Sequence, residues 1–146
     1  ELLGHAGPVF GVTADEDLQE AVSWSSDQTL RVWKLAVPPD EDGAVRELRG
    51  HGDTVGGVEA HWSSRRALSF DDEGVLRFWD LDNGLVLRIL RGHPGPVWSV
   101  EVDWDRQKAL SWSFADRALR LWDLRQESIE AGCCKELVAA PGVDGC

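Results

Sequence analysis

Gly92-His93-Pro94-Gly95-Pro96-Val97-Trp98-Ser99-Val100, then Ala109-Leu110-Ser111, then Leu119-Arg120-Leu121-Trp122-Asp123: this stretch decides the fold, because it is the third copy of one pattern. Gly4-His5 and Gly50-His51 open the two earlier copies, and the Gly-His spacings are 46 and 42 residues. A Val stands four and again seven residues after each His, as Val9 and Val12, Val55 and Val58, Val97 and Val100. Each copy continues with a small-apolar-Ser triplet, Ala21-Val22-Ser23 and Ala67-Leu68-Ser69 before the third. Each then reaches Leu-Arg-apolar-Trp, as Leu30-Arg31-Val32-Trp33 and Leu76-Arg77-Phe78-Trp79. From His to Trp the distances are 28, 28 and 29 residues, and the extra residue, between Ser111 and Trp122, is predicted to fall in a turn. Self-similarity at a fixed period is the mark of a repeat architecture.

Within a unit the pattern reads as four short strands. Val-x-x-Val opens the first, the Ser triplet ends the second, and Leu-Arg-apolar-Trp alternates as a third strand should. The fourth is the stretch before the next Gly-His, Ala44 to Arg49 and Leu85 to Arg91. Turn residues separate them, among them Ser26-Asp27-Gln28, Asp71-Asp72-Glu73-Gly74 and Asp82-Asn83-Gly84. No helix-period stretch of useful length interrupts the series.

Gly-His, Ser, Asp and Trp-Asp at this spacing, three times over across about residues 1–125, resemble the WD40 family. The resemblance implies an all-β fold, a WD40 β-propeller segment of three four-stranded antiparallel blades belonging to a larger propeller. The units are residues 1–47, with the tail of a preceding outer strand at 1–3, then 48–89 and 90–125, leaving 126–146 as a tail or partial outer strand. Departures exist. The first unit has Trp33-Lys34 where Trp79-Asp80 and Trp122-Asp123 conform, and an insertion at Pro38-Pro39-Asp40-Glu41-Asp42. The second has Glu73 in the place that Asp27 and Asp116 hold.

Ser, His and an acid recurring together suggest a Ser-His-Asp hydrolase. The resemblance implies another role: in each unit the turn acid accepts from His, His meets the Ser hydroxyl, and Ser accepts from the indole N–H. The implied structural sets are His5, Ser23, Asp27 and Trp33; His51, Ser69, Glu73 and Trp79; His93, Ser111, Asp116 and Trp122. An indole offers only a donor, which must find an acceptor when buried. A set copied in every repeat, with no Gly-x-Ser-x-Gly elbow, reads as structural, so no catalytic residue is expected. His5, His51, His61 and His93 lack metal-ligand spacing, and Asp71-Asp72-Glu73-Gly74 lacks the alternating oxygens of a calcium loop. No metal and no cofactor are expected.

The 146 residues carry 15 Lys and Arg against 26 Asp and Glu, a net charge of -11. That surface disfavours nucleic acid and anionic membranes and suits a protein or peptide partner with a basic patch. Trp24, Phe70 and Trp112 each follow the second-strand Ser and are predicted to pack between blades. Phe10, Gly56 and Trp98 follow the first Val of each unit. By resemblance this position borders the partner-binding face, so Phe10 and Trp98, with Asp53, Thr54 and Asp71 from neighbouring loops, are the expected contact residues. Trp62 and Trp104 are predicted in turns at the opposite face. Arg31, Arg77 and Arg120, one per third strand, read as structural or solvated. The function that follows is a non-catalytic scaffold for protein–protein interaction, with self-assembly as the structural alternative.

Three Cys, at 133, 134 and 146, form no disulfide framework and favour a reducing, cytoplasmic setting. The absence of Met and the short opening strand point to a fragment of a larger propeller. Bare blade faces at both ends would then be covered by further blades of a parent chain, or by a second copy closing a homodimeric ring. Glu130 to Ala139 is the stretch expected to complete the last blade.

Overall fold

The computed structural model describes residues 3–17, 19–35, 44–125, 130–132 and 135–138. The insertion at 38–42, the three Cys and the end of the expected outer strand at Ala139 lie outside the described residues.

Three sheets follow one another along the chain. The first holds β1 (Val9–Ala14), β2 (Glu20–Ser25), β3 (Leu30–Lys34) and β4 (Ala44–Leu48), in that order and antiparallel. The second is built from β5 (Val55–His61), β6 (Arg66–Asp71), β7 (Val75–Asp80) and β8 (Leu85–Arg91), with one 3-10 turn at Trp62–Ser64 after β5. The third holds β9 (Ser99–Asp103), β10 (Lys108–Ser113) and β11 (Ala118–Asp123).

The C-terminal segment then departs from the expected pattern. β12 (Glu130–Gly132) crosses back and pairs parallel to β8, Glu130 opposite Ile89. β13 (Lys135–Val138) returns to the third sheet as its fourth strand, antiparallel to β11. The middle sheet therefore has five strands rather than four, in the order β12-β8-β7-β6-β5. The reason is physical: β8 would otherwise present an unpaired row of N–H and C=O groups, which a short returning segment can satisfy.

The turns repeat as faithfully as the strands. The residue five before each motif Trp takes the left-handed conformation: Gln28 at φ 68°, Gly74 at 84° and Arg117 at 54°. Gly74 is required twice over, because a Cβ there would stand 2.4 Å from the His93 carbonyl oxygen and 2.7 Å from that of Gly95. The extra residue of the third unit lies between Trp112 and Leu119, which pair across a six-residue connection where Phe70 and Leu76 span five.

Two cores hold the sheets against one another. Val22, Leu30, Val32 and Leu48 of the first sheet pack on Val55, Val58 and Trp79 of the second. Leu68, Phe70, Leu76 and Phe78 of the second pack on Val97, Val100 and Trp122 of the third. Each side chain of this size contributes about 1.5–3 kcal/mol on burial. One face of each sheet is thus made of second- and third-strand apolar residues. The other is made of the Val-x-x-Val strand and the motif Trp. Polar ties span the first joint: Arg46 Nη1 donates to the Leu81 carbonyl at 2.9 Å, and Arg65, bonded within its own blade to Asp82 at 2.8 Å, reaches across to Glu20.

Trp24 and Phe70 lie in these joints, and their ring placement has a local cause. Each stands opposite a glycine across the strand pair, Trp24 against Gly11 and Phe70 against Gly57. A Cβ at Gly11 would come 2.2 Å from the Trp24 ring, and one at Gly57 would come 2.4 Å from Phe70. In the third sheet that position is Ser99, and Trp112 meets Phe114 edge-on at 4.8 Å.

Trp104 packs against the second core and stacks on His61, 5.1 Å away at 10°. Trp62 packs on the first core. Both cover the joints at their far ends.

Candidate functional site

Alternation places Ser23, Ser69 and Ser111 on the sheet face that also carries the motif Trp of the adjacent strand. Trp33 Nε1 donates to Ser23 Oγ at 2.8 Å, Trp79 to Ser69 at 2.7 Å, and Trp122 to Ser111 at 2.8 Å. The His of each preceding loop joins the same hydroxyl through Nε2: His5 at 2.7 Å, His51 at 2.5 Å and His93 at 2.7 Å. With an indole N–H already aimed at it, the hydroxyl gives its proton to the imidazole. That leaves Nδ1–H to donate to the acid. Asp27 accepts from His5 at 2.8 Å and Asp116 from His93 at 2.9 Å.

The second unit corrects the sequence reading. His51 Nδ1 meets Asp71, at 2.6 Å, and not Glu73. Asp71 lies two residues after Ser69 and so on the same strand face, pointing at His51. Glu73 is exposed; its carboxylate lies close over Gly52. Asp71 also performs the second task of the other acids: its Oδ1 accepts the Val75 amide at 2.9 Å, as Asp27 accepts that of Thr29 at 2.9 Å and Asp116 that of Ala118 at 3.1 Å. One carboxylate thus orients the imidazole and starts the third strand in every unit. Ser25 and Ser113, which occupy Asp71's register, instead tie down the preceding loop through the carbonyls of Gly7 and Pro96.

Two arginines join these sets. Arg77 donates to Asp71 at 3.3 Å and Arg120 to Asp116 at 2.9 Å, while Arg31 turns to Glu47 at 3.1 Å. Burial holds the His51 imidazole below its ordinary range, against the pull of Asp71. Burial works to raise the Asp116 carboxyl, but the bonds from Arg120 and His93 outweigh it and hold it below the carboxylate range. Asp27 is lowered in the same sense, burial being overcome by Thr29, His5 and the Ala6 amide.

The second and third sets have the connectivity of a hydrolytic triad but not its accessibility, whereas Ser23 and His5 of the first line an open hollow. Ser69 and Ser111 are fully buried, and every Ser oxygen is engaged by both an indole and an imidazole. Among the described residues no three His, Cys, Asp or Glu side chains come together as a metal site.

The loop end of the sheets carries the other predicted residues. Phe10 is 59% exposed and Trp98 60%. Phe114, which the sequence reading passed over, is 63% exposed and meets Trp98 edge-on at 5.2 Å. Its register is held by Ser26 and Asp72 in the other units, so no repeat signal marked it. Asp53 and Thr54 are half-buried, Asp53 accepting the Thr54 amide at 2.7 Å. Asp71 is no contact residue: it is fully buried on His51. Asp72 next to it is exposed, and its carboxyl is raised by partial burial and then by Asp53 and Asp71.

Residues 84–123 match the family model described as WD domain, G-beta repeat. No curated protein sequence matches the chain. The matched stretch runs from the turn before β8 to the end of β11, so the sequence repeat takes the last strand of one sheet and the first three of the next. Residues 84–123 are a WD40 repeat, and the three sheets are consistent with WD40 blades.

Proposed function

We propose that this chain is a non-catalytic scaffold for protein–protein interaction, presenting the loop end of its blades to a protein or peptide partner. The observation that carries the reading is the pair Phe10 and Trp98, large aromatics at one register, both well over half exposed. Exposed aromatics are the usual anchors of interfaces. Asp53, Asp72 and Glu73 stand in the loops of the blade between them, on a chain of net charge -11. An acidic, aromatic surface suits a partner bearing Lys or Arg next to apolar side chains. WD40 repeats commonly serve as interaction scaffolds, and the rigid sheets below the loops suit that use.

The test is an array of dodecapeptides of varied charge and apolar content, probed with the purified chain. Retention on basic, apolar peptides, lost in the Phe10→Ala/Trp98→Ala double variant, is the expected result. Retention unchanged by the double variant overturns the reading. The hydrolase alternative separates from it on Ser69→Ala, which would abolish turnover of a model ester in a hydrolase while leaving the fold intact.

A further inference from the structure

At the loop end, the seam between the second and third blades sets two aromatic rings of one blade next to two carboxylates of the other. The third blade supplies the rings: Trp98 and Phe114, both exposed, meet edge-on at 5.2 Å, and Trp112 holds Phe114 edge-on from within at 4.8 Å. The Trp98 amide donates to the Trp112 carbonyl at 3.0 Å, which fixes the segment that carries the first ring. The second blade supplies the acids. The Asp72 amide donates to the Thr54 carbonyl at 3.1 Å, which brings Asp72 against the loop of Asp53. The seam itself is tied by the Val97 amide, which donates to the Asp71 carbonyl at 3.4 Å, so Asp72 and Trp98 each follow one end of the same bond. Gly56 puts no side chain into the seam; even a Cβ there would lie 3.7 Å from the Val97 carbonyl oxygen. Both registers are open in the middle blade, where Gly56 and Asp72 are exposed although a blade packs on each side. Asp71 has Arg77 as its cation, but among the described residues no Lys or Arg pairs with Asp53 or Asp72, and burial and then the charges of Asp53 and Asp71 raise the Asp72 carboxyl.

We propose that this seam takes an arginine side chain of a protein partner, the guanidinium lying on the Trp98 and Phe114 rings with its N–H groups on the carboxylates of Asp53 and Asp72. The proposal rests on the interaction reading above and names the group that the surface selects. Exposed rings call for apolar contact, and unneutralised carboxylates next to them call for positive charge; a flat cation meets both demands at once. A guanidinium is planar and weakly hydrated, stacks on aromatic faces and presents a fork of N–H donors that fits carboxylates. The ammonium of a lysine is a compact, strongly hydrated charge that can sit at the acids while leaving the rings uncovered. A neutral side chain of the same shape gains the rings alone.

The experiment is fluorescence anisotropy of a labelled Gly/Ser dodecapeptide with Leu-Arg-Leu at its centre, titrated with the full chain, beside the same peptide with Lys or citrulline in place of the Arg. Citrulline keeps the flat shape and removes the charge. The expected order is Arg, then Lys, then citrulline, with Arg ahead of citrulline by about tenfold in Kd. Asp53→Asn/Asp72→Asn brings the Arg and citrulline peptides to within about twofold of each other, and Phe114→Ala does the same to the Arg and Lys peptides. The substituted side chains stand outside the two cores, and matching far-UV circular dichroism and melting temperature confirm that the variants fold. Equal affinity for the three peptides overturns the proposal, as does an order that both variants leave unchanged. So does failure of the Arg peptide to bind a chain that retains other basic peptides in the array; each of these leaves the scaffold reading standing. Binding of no peptide in either experiment overturns both.

Discussion

At the scale of single residues, the Ser, His, acid and Trp of each unit act as one hydrogen-bonded chain tying a loop to the blade it precedes. Asp71 and Glu73 give the sharpest comparison. Asp71→Asn weakens charge-assisted bonds to His51 and Arg77 in a fully buried place, at a cost of about 1.5–3 kcal/mol. Glu73→Gln changes an exposed side chain and is expected to stay within about 0.5 kcal/mol of the parent. Urea melts of the two variants check this, and the reverse order would return Glu73 to the set. The pH dependence follows from His51. Because burial lowers its affinity for protons, the unfolded chain takes up a proton near pH 6.5 that the folded chain refuses. Stability is therefore full above about pH 7 and declines below about 6.5, with a slope approaching ~1.4 kcal/mol per pH unit. Urea midpoints at pH 7.5, 6.5 and 5.5 should fall in that order; a flat or rising series contradicts the assignment. Two carboxyls raised first by burial, Glu59 and Asp72, act in the opposite sense, favouring the folded state as they take up protons. The residues of the sets were legible in the sequence because each chemistry recurs at a fixed offset. Asp71 was missed because the offset was followed where strand alternation, which puts 69 and 71 on one face, should have decided.

At the scale of elements, the first three strands of each sheet were legible because Val-x-x-Val, the Ser triplet and Leu-Arg-apolar-Trp alternate with period two. β12 was not, since three residues pairing parallel to a distant edge leave no pattern of their own. The glycines opposite the joint aromatics carry no signal through all three units, since Ser99 stands at their register in the third. Gly57→Ala should push the Phe70 ring out of the second core and cost about 1–3 kcal/mol, whereas Ser99→Ala, at the same register of the third sheet, should be close to neutral. Equal effects in thermal melts would show that the close approach at Gly57 does not matter. The C-terminal segment links the middle blade to the last through β12 and β13. Ending the chain after Arg125 strips the fourth strand from the third sheet and reopens the β8 edge. A melting temperature lowered by at least ~2–4 °C, the shift expected for about 1 kcal/mol in a chain of this size, is the predicted result. Superimposable melts would make the segment dispensable.

At the scale of the whole molecule, the middle blade packs against a neighbour on each face, through the first core on one side and the second on the other. Trp79 lies at its centre, fully buried, in the first core and in the second hydrogen-bonded set. The number of blades was legible in the sequence; which of their faces meet was not, because that depends on the pairing of side chains far apart in the chain. The central claim is that the blades form one rigid body through these joints, and calorimetry of the parent and Trp79→Ala tests it most directly. The account predicts one cooperative transition in each, the variant's lowered by about 3–5 kcal/mol of stability, since the first core loses the buried Trp79 ring and the blades melt together. A variant showing two transitions, with part of the chain still melting at the parent's temperature, would contradict it and make the blades independent units.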